Sequence, residues 1–378
     1  TSCNGQQSSN AKPALVLQSC RLEGVSVEAR CGKLEVFENR ETNAGRKIAL
    51  NIAVIPSVSA NPQPEPIVFF AGGPGQAAVK LGHVALYILQ KARREREIIL
   101  VDQRGTGKSN ALDCNNKNKN LSLAEKLVDP DSTKQMQSCL QKLDAAPEHY
   151  TTPNAVADLE DVRAALGYDK LNLFGVSYGT RMALSYLRAH PQHVRSVVLD
   201  GVAPTAIKLP LHFGRDAQGA LQRTIDDCMK NADCKKLAPD LQQDVLQISA
   251  ALKKSPAKIT LNNPATNEKT ELVMDQRIFA SSLRSILYRA SYGSLLPITI
   301  GEAKKGNFAP LVAQTTAFSA DLEDGMSLGM FMSVICAEDV PMIGKDEIQG
   351  LANPLFKADM FNSLLKTCDI WPKGKIST

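Results

Sequence analysis

Four short, nearly continuous apolar runs, at residues 67–70, 98–101, 171–174 and 197–199, each give way within a few residues to glycine. Runs of this length without polar alternation suit strands buried on both faces, as in a parallel sheet covered by helices. Helical patterns fall between them at 76–94, 155–166 and 180–189. The second of these follows Thr152 and Pro153 and stops at Gly167, which are start and stop signals. Strand and helix in alternation predict an α/β doubly wound, mostly parallel sheet. Ahead of these runs, 34–37 and 48–55 alternate and are rich in Val, Ile and Leu, which fits two antiparallel strands at a sheet edge. The pattern divides the chain into a flexible N-terminal tether (1–19), a core (20–204), a mostly helical lid (205–330) and a return to the core (331–378).

Several function classes fall away on composition. Charged residues make up 22% and hydrophobic ones 43%, the balance of a globular chain rather than a disordered one. A net charge of +5 spread over 378 residues, with both signs interleaved, argues against nucleic acid as a partner. The one polar run, from Asn115 to Asn120, reads as a solvated loop. No apolar stretch reaches the ~18 residues needed to span a bilayer. Nine cysteines are many for a reducing compartment, and none has the CxxC spacing of a zinc site. Cys20 with Cys31, Cys114 with Cys139, Cys228 with Cys234 and Cys336 with Cys368 are the plausible pairs, buried free thiols being the alternative. Disulfides would place the protein outside the cytoplasm, in a periplasmic or extracellular setting. Cys3 is left over. It follows Thr1 and Ser2 and precedes a polar stretch, so a lipid anchor and a plain flexible N-terminus both fit.

The chemistry concentrates in three segments. Gly175-Val176-Ser177-Tyr178-Gly179 directly follows one buried run and directly precedes a helix. That context is what a nucleophile elbow needs, with a serine on a strained strand-to-helix turn and glycines admitting close backbone. Phe70-Ala71-Gly72-Gly73-Pro74-Gly75 follows an earlier strand. Acyl transfer needs two backbone N–H groups aimed at the tetrahedral oxyanion, and the candidates are those of Tyr178 and Gly73, with Gly73 preferred to Gly72. The third, from Val101 to Ser109, ends like a phosphate loop, but such a loop would need glycine where Asp102 stands. Bracing of the oxyanion loop by Asp102 and Arg104 is the expectation instead.

With Asp102-Gln103-Arg104-Gly105 and Leu199-Asp200-Gly201-Val202 these segments form an ordered set. The set resembles the tripeptidyl and prolyl aminopeptidase branch of the α/β-hydrolases. The likeness covers roughly 34–204 well, the lid poorly, and returns at Cys336 and from Cys368 to Trp371. It implies a serine peptidase that trims peptides from a free N-terminus, with acidic side chains holding the α-amino group. It also implies a triad of Ser, Asp and His in chain order, the last two on strands beyond the Cys–Trp segment. The sequence stops at Thr378 before either position, so the expectation is a chain that lacks them and is inactive as it stands.

The remaining candidates are weaker. Ser177, Asp200 and His212 would keep the triad order, but Asp200 sits where the family has a structural residue. His83 and His149 show no sign of pairing, and His190 and His193 end the helix after the elbow, on the far side of the sheet, where they are expected to face solvent. For the amine anchor, Asp321, Glu323 and Asp324 lie in the lid, and Glu338 with Asp339 is preferred, on the expectation that the apolar residues Val334 and Ile335 carry them to a strand end near the cleft. A carboxylate there would favour a peptide ammonium. No metal or cofactor is called for, since serine acyl transfer needs neither. Two rivals remain: an esterase acting on small esters, and an inactive hydrolase fold serving as a binding module.

Overall fold

The computed structural model describes residues 15–114, 123, 127, 132–264, 266–323, 326–349, 355–356 and 359–375. Cys3 and the loop from Asn115 to Asn120 lie outside them. Seven strands form one sheet: β1 (Gln18–Cys20), β2 (Ala29–Phe37), β3 (Lys47–Ile55), β4 (Ile67–Phe70), β5 (Ile98–Val101), β6 (Leu171–Val176) and β7 (Val194–Asp200). Their order is β1-β2-β3-β5-β4-β6-β7. β5, β4, β6 and β7 are parallel, and β1 to β3 extend the sheet antiparallel at one edge. Gln18 and Ser19, expected in the tether, instead pair with Arg30 and Cys31 of β2.

β4 and β5 are apolar throughout because both faces of the sheet are covered there. Val68 and Phe70 face one core with Ile99, Leu173, Met182 and Tyr186. Ile67 and Phe69 face the other with Ala85, Leu89, Ile98 and Leu100. Helices α1 (Gly82–Ile88), α2 (Ser132–Leu140), α3 (Thr152–Leu166) and α4 (Tyr178–Ala189) belong to this part of the chain. The helix predicted at 76–94 begins only at Gly82, after a turn that continues the glycine-rich loop, and it ends at Ile88. β7 ends the sheet and is thinly covered, with Val198 52% exposed.

The segment expected to be a mostly helical lid has its own core. α5 (Phe213–Lys230), α6 (Ala232–Leu237), α7 (Leu241–Lys254), α8 (Gln276–Ile286), α9 (Leu296–Lys304) and α10 (Ala309–Glu323) fall in this stretch, and buried residues from it, among them Leu221, Leu252, Phe279 and Leu311, form one cluster. A hairpin was not expected there: β8 (Ala257–Asn262) pairs antiparallel with β9 (Lys269–Met274). Its signal was the alternation of Ile259 and Leu261 with Lys258 and Thr260, followed by an Asn-rich turn.

After α11 (Leu328–Val334) the chain forms a π-helical turn, Ile335–Asp339, rather than the expected strand end. All four expected disulfides are present, joining Cys20 to Cys31, Cys114 to Cys139, Cys228 to Cys234 and Cys336 to Cys368. The last fastens α12 (Asp359–Ile370) to the π-turn, in a cluster with Met136, Met332 and Trp371. Replacing Cys336 and Cys368 by serine should cost about 2–4 kcal/mol, through a loop no longer closed in the unfolded chain. Guanidinium unfolding followed by the fluorescence of Trp371, the single tryptophan, checks this. An unchanged midpoint would show that the bridge contributes nothing.

Candidate active site

The elbow is built by close backbone approach. β6 ends at Val176, α4 starts at Tyr178, and Ser177 between them is exposed with φ 55° and ψ −123°. A non-glycine residue there stores about 1–3 kcal/mol of strain, so the surroundings must hold it. They do: Ser177 N–H donates to the Asp200 carbonyl at 2.9 Å, and its own carbonyl accepts Thr180 N–H at 2.9 Å and Thr180 Oγ1 at 2.6 Å. The flanking glycines are required sterically. A Cβ on Gly179 would lie 2.2 Å from the Phe70 carbonyl oxygen, and one on Gly175 would lie 2.4 Å from that of Gly179. The helix therefore starts directly against the end of β4.

That contact brings the glycine-rich loop to the serine. A Cβ on Gly72 would stand 3.2 Å from Ser177 Cβ, so Gly72 is in direct contact and Gly73, the expected oxyanion donor, follows it. Gly73 has φ 109° and precedes a cis peptide to Pro74. Gly75, at φ 114°, accepts from Ser327 N–H at 2.8 Å and leaves no room for a side chain, since a Cβ would meet the Ser327 carbonyl at 2.6 Å. The loop is thus pinned to the segment just before α11.

Asp102 has the bracing place expected of it. Its buried carboxylate accepts from Val79 N–H at 2.9 Å, Lys108 N–H at 3.1 Å and Asn51 Nδ2 at 2.8 Å, tying the segment after the glycine loop to β3. Burial pushes this carboxyl above its ordinary range, and the same three donors pull the other way. Arg104 does different work from the bracing expected. It donates to Asp158 from Nε and Nη2 at 2.7 and 2.8 Å, and to the carbonyls of Phe37, Glu38 and His149. With five bonds and 0% exposure, its guanidinium joins the end of β2 to α3.

A directional relay runs through the Tyr178 hydroxyl. Gln103 Nε2 donates to the Tyr178 hydroxyl at 3.2 Å, which lies 2.6 Å from Thr152 Oγ1. Thr152 Oγ1 donates in turn to Glu338 at 2.7 Å. Since Thr152 has one hydroxyl proton and spends it on Glu338, the Tyr178 hydroxyl must be the donor to Thr152. Burial, with the charge of Glu338, pushes the Tyr178 phenol up and keeps that proton in place.

The two carboxylates expected at a strand end are internal. Glu338 also accepts Thr152 N–H at 2.6 Å, and burial pushes its carboxyl up against these donors. Asp339, at 1% exposure, takes Arg181 Nη1 and Nη2 at 3.0 and 2.7 Å and Leu209 N–H at 3.1 Å. Burial alone would push Arg181 toward its neutral form. The hydrogen bonds and charge of Asp339, with the charge of Glu338, outweigh it and hold the guanidinium above its ordinary value. Arg181 also donates to the Ile207 carbonyl at 2.9 Å. Sequence reasoning did not single out Arg181. Its one signal was a charged residue on the apolar face of the post-elbow helix.

The other candidates do not converge on Ser177. Among the described residues no hydrogen bond joins Ser177 to a histidine. His212 stands at the N-cap of α5, where its charge helps lower the carboxyl of Glu347, behind the Lys208 ion pair and the Gly344 N–H. Asp200 meets Ser177 through its main chain only, and its side chain is exposed. Asp324 and the side chains of Asp321 and Glu323 lie outside the described residues.

Residues 65–287 match the family model described as alpha/beta hydrolase fold. The chain is similar to serine protease Hip1 of Mycobacterium tuberculosis, 34% identical over 223 residues, 54% of this chain and 42% of that protein. Tripeptidyl aminopeptidase of Streptomyces lividans is 27% identical over 188 residues, covering 46% of this chain and 35% of its own length. Proline iminopeptidase of Neisseria gonorrhoeae is 30% identical over 144 residues, 38% and 34% of the two chains. The chain thus spans less than half the length of each of these relatives.

Proposed function

Because this chain belongs to the alpha/beta hydrolase fold family, we propose that it is a serine hydrolase of peptides, an exported aminopeptidase that acts through an acyl-enzyme on Ser177. One observation carries the reading: an exposed serine at φ 55° between a buried strand and a helix start, with Gly72 against its Cβ. In this reading Ser177 Oγ attacks the scissile carbonyl, and the N–H groups of Tyr178 and Gly73 take the oxyanion. The amine leaves, and water then releases the acid from the ester.

The hydroxyl proton needs a general base. Among the described residues no histidine hydrogen-bonds to Ser177, so none of them is assigned that role. Peptides are the proposed substrates because the relatives named above are a serine protease and two aminopeptidases. Asp339 is not assigned to the substrate amine, since Arg181 already occupies it. Glu338 would have to release Thr152 and lies 3.6 Å from the Arg181 charge, which opposes a second cation. Four disulfides are compatible with export, and among the described residues no helix is long and apolar enough to cross a membrane. A lipid on Cys3 stays part of the proposal.

Fluorophosphonate labelling of the native gene product and its Ser177→Ala variant tests the nucleophile. Labelling should vanish in the variant, and equal labelling of both proteins ends the assignment. Chromogenic tripeptides with free and acetylated N-termini test the substrate class. Acetylation should lower kcat/KM roughly 10- to 100-fold, the worth of one charge-assisted hydrogen bond. Turnover of short acyl esters with no preference for a free amine would make the protein an esterase instead.

A further inference from the structure

At the end of α4 remote from Ser177, two histidines and a glutamate meet. His190 caps α4, His193 closes the short turn Pro191–His193, and Glu160 projects from α3. One ligand atom of each lies within 4.8 Å of the others, and all three residues are half-buried. The ring of His190 stacks on that of His193, centroids 6.1 Å apart, and leans on Tyr186.

The telling atom is His193 Nδ1. It lies 3.1 Å from Glu160 Oε1, yet it is buried and makes no hydrogen bond. An imidazole nitrogen and a carboxylate oxygen so close but out of hydrogen-bond alignment are placed as two ligands of one ion would be. Ligands about 2.0–2.1 Å from zinc at a tetrahedral angle stand roughly 3.3 Å apart. Glu160 is fixed for the purpose. Arg163 Nε reaches Oε2 at 3.0 Å and Nη2 reaches Oε1 at 2.5 Å, while the Tyr186 hydroxyl donates to Oε2 at 2.7 Å.

We propose that Glu160, His190 and His193 form a structural site for a zinc-class divalent cation, clipping α3 to the connection between α4 and β7. Two imidazoles and one carboxylate suit zinc and not magnesium or calcium, which prefer oxygen. The Arg163 charge moderates affinity, so the site is a clip and not a tight structural centre. α4 separates it from Ser177 by about 18 Å at 1.5 Å per residue, so the ion takes no part in acyl transfer. The inference stands apart from the hydrolase reading.

The test uses untagged, chelator-treated protein titrated with zinc chloride, with stoichiometry from calorimetry and thermal unfolding in parallel. One equivalent should bind per chain, and at a hundredfold excess over Kd the midpoint should rise by roughly 3–5 °C. His190→Asn and His193→Asn should each weaken zinc binding at least about tenfold, and the double variant should show no midpoint shift. An unchanged metal-free midpoint in the variants shows that the fold survives. Zinc binding by the double variant with unaltered affinity, or no binding by the native protein up to millimolar zinc, overturns the site.

Discussion

Asp158→Ala should destabilise the protein by about 3–5 kcal/mol, the cost of stranding a buried charge whose partner is gone. Asp158 is shared. Arg104 reaches it from two nitrogens at 2.7 and 2.8 Å, and Arg40 Nε reaches it at 2.9 Å. Without it Arg40 keeps Asp161, but Arg104, fully enclosed, keeps main-chain carbonyls and the face of the Tyr150 ring, with no carboxylate hydrogen-bonded to it. Adding Arg104→Met to the variant should recover part of the loss, since removing both charges is cheaper than leaving one. Guanidinium unfolding gives both numbers. A loss below about 1 kcal/mol would show that water reaches Arg104 and the enclosure is not tight.

Arg181→Met should cost a similar 3–5 kcal/mol, and for a reason tied to function. The side chain stands four residues after Ser177 in the helix that the elbow launches. It binds Ile207 and Asp339, while Leu209 binds Asp339 as well. Ile207 and Leu209 precede the helical segment that starts at α5, and Asp339 follows it. One guanidinium therefore ties the chain on both sides of the helical segment to α4. Besides the lower midpoint, the variant should lose fluorophosphonate labelling rate, and Asp339→Leu added to it should restore stability better than labelling. If the double variant is no more stable than Arg181→Met, the cost does not come from the stranded carboxylate.

What the sequence disclosed was local. The apolar runs at 67–70 and 98–101 coincide with β4 and β5, because burial on both faces removes polar alternation. The elbow was legible because its glycines answer to contacts their neighbours impose. The cysteine pairs were legible from spacing and the want of a metal pattern. The failures were long-range. Val334 and Ile335 look like a strand, yet they run into a π-turn fixed by a disulfide from Cys336 to Cys368. Glu338 and Asp339 look like free carboxylates until the fold delivers Arg181 from 158 positions away. The hairpin of β8 and β9 was missed because helical neighbours on both sides set the expectation. Glu160, His190 and His193 are separated in the chain and united only by the packing of α3 on α4.

At the end of the sheet, Val197, Val198 and Leu199 lie on a strand that pairs on one side only among the described residues, the kind of edge that an extended segment can join. Arg195 and Asp200, both exposed, bracket it with opposite charges. Such sentries slow indiscriminate pairing without forbidding a matching strand.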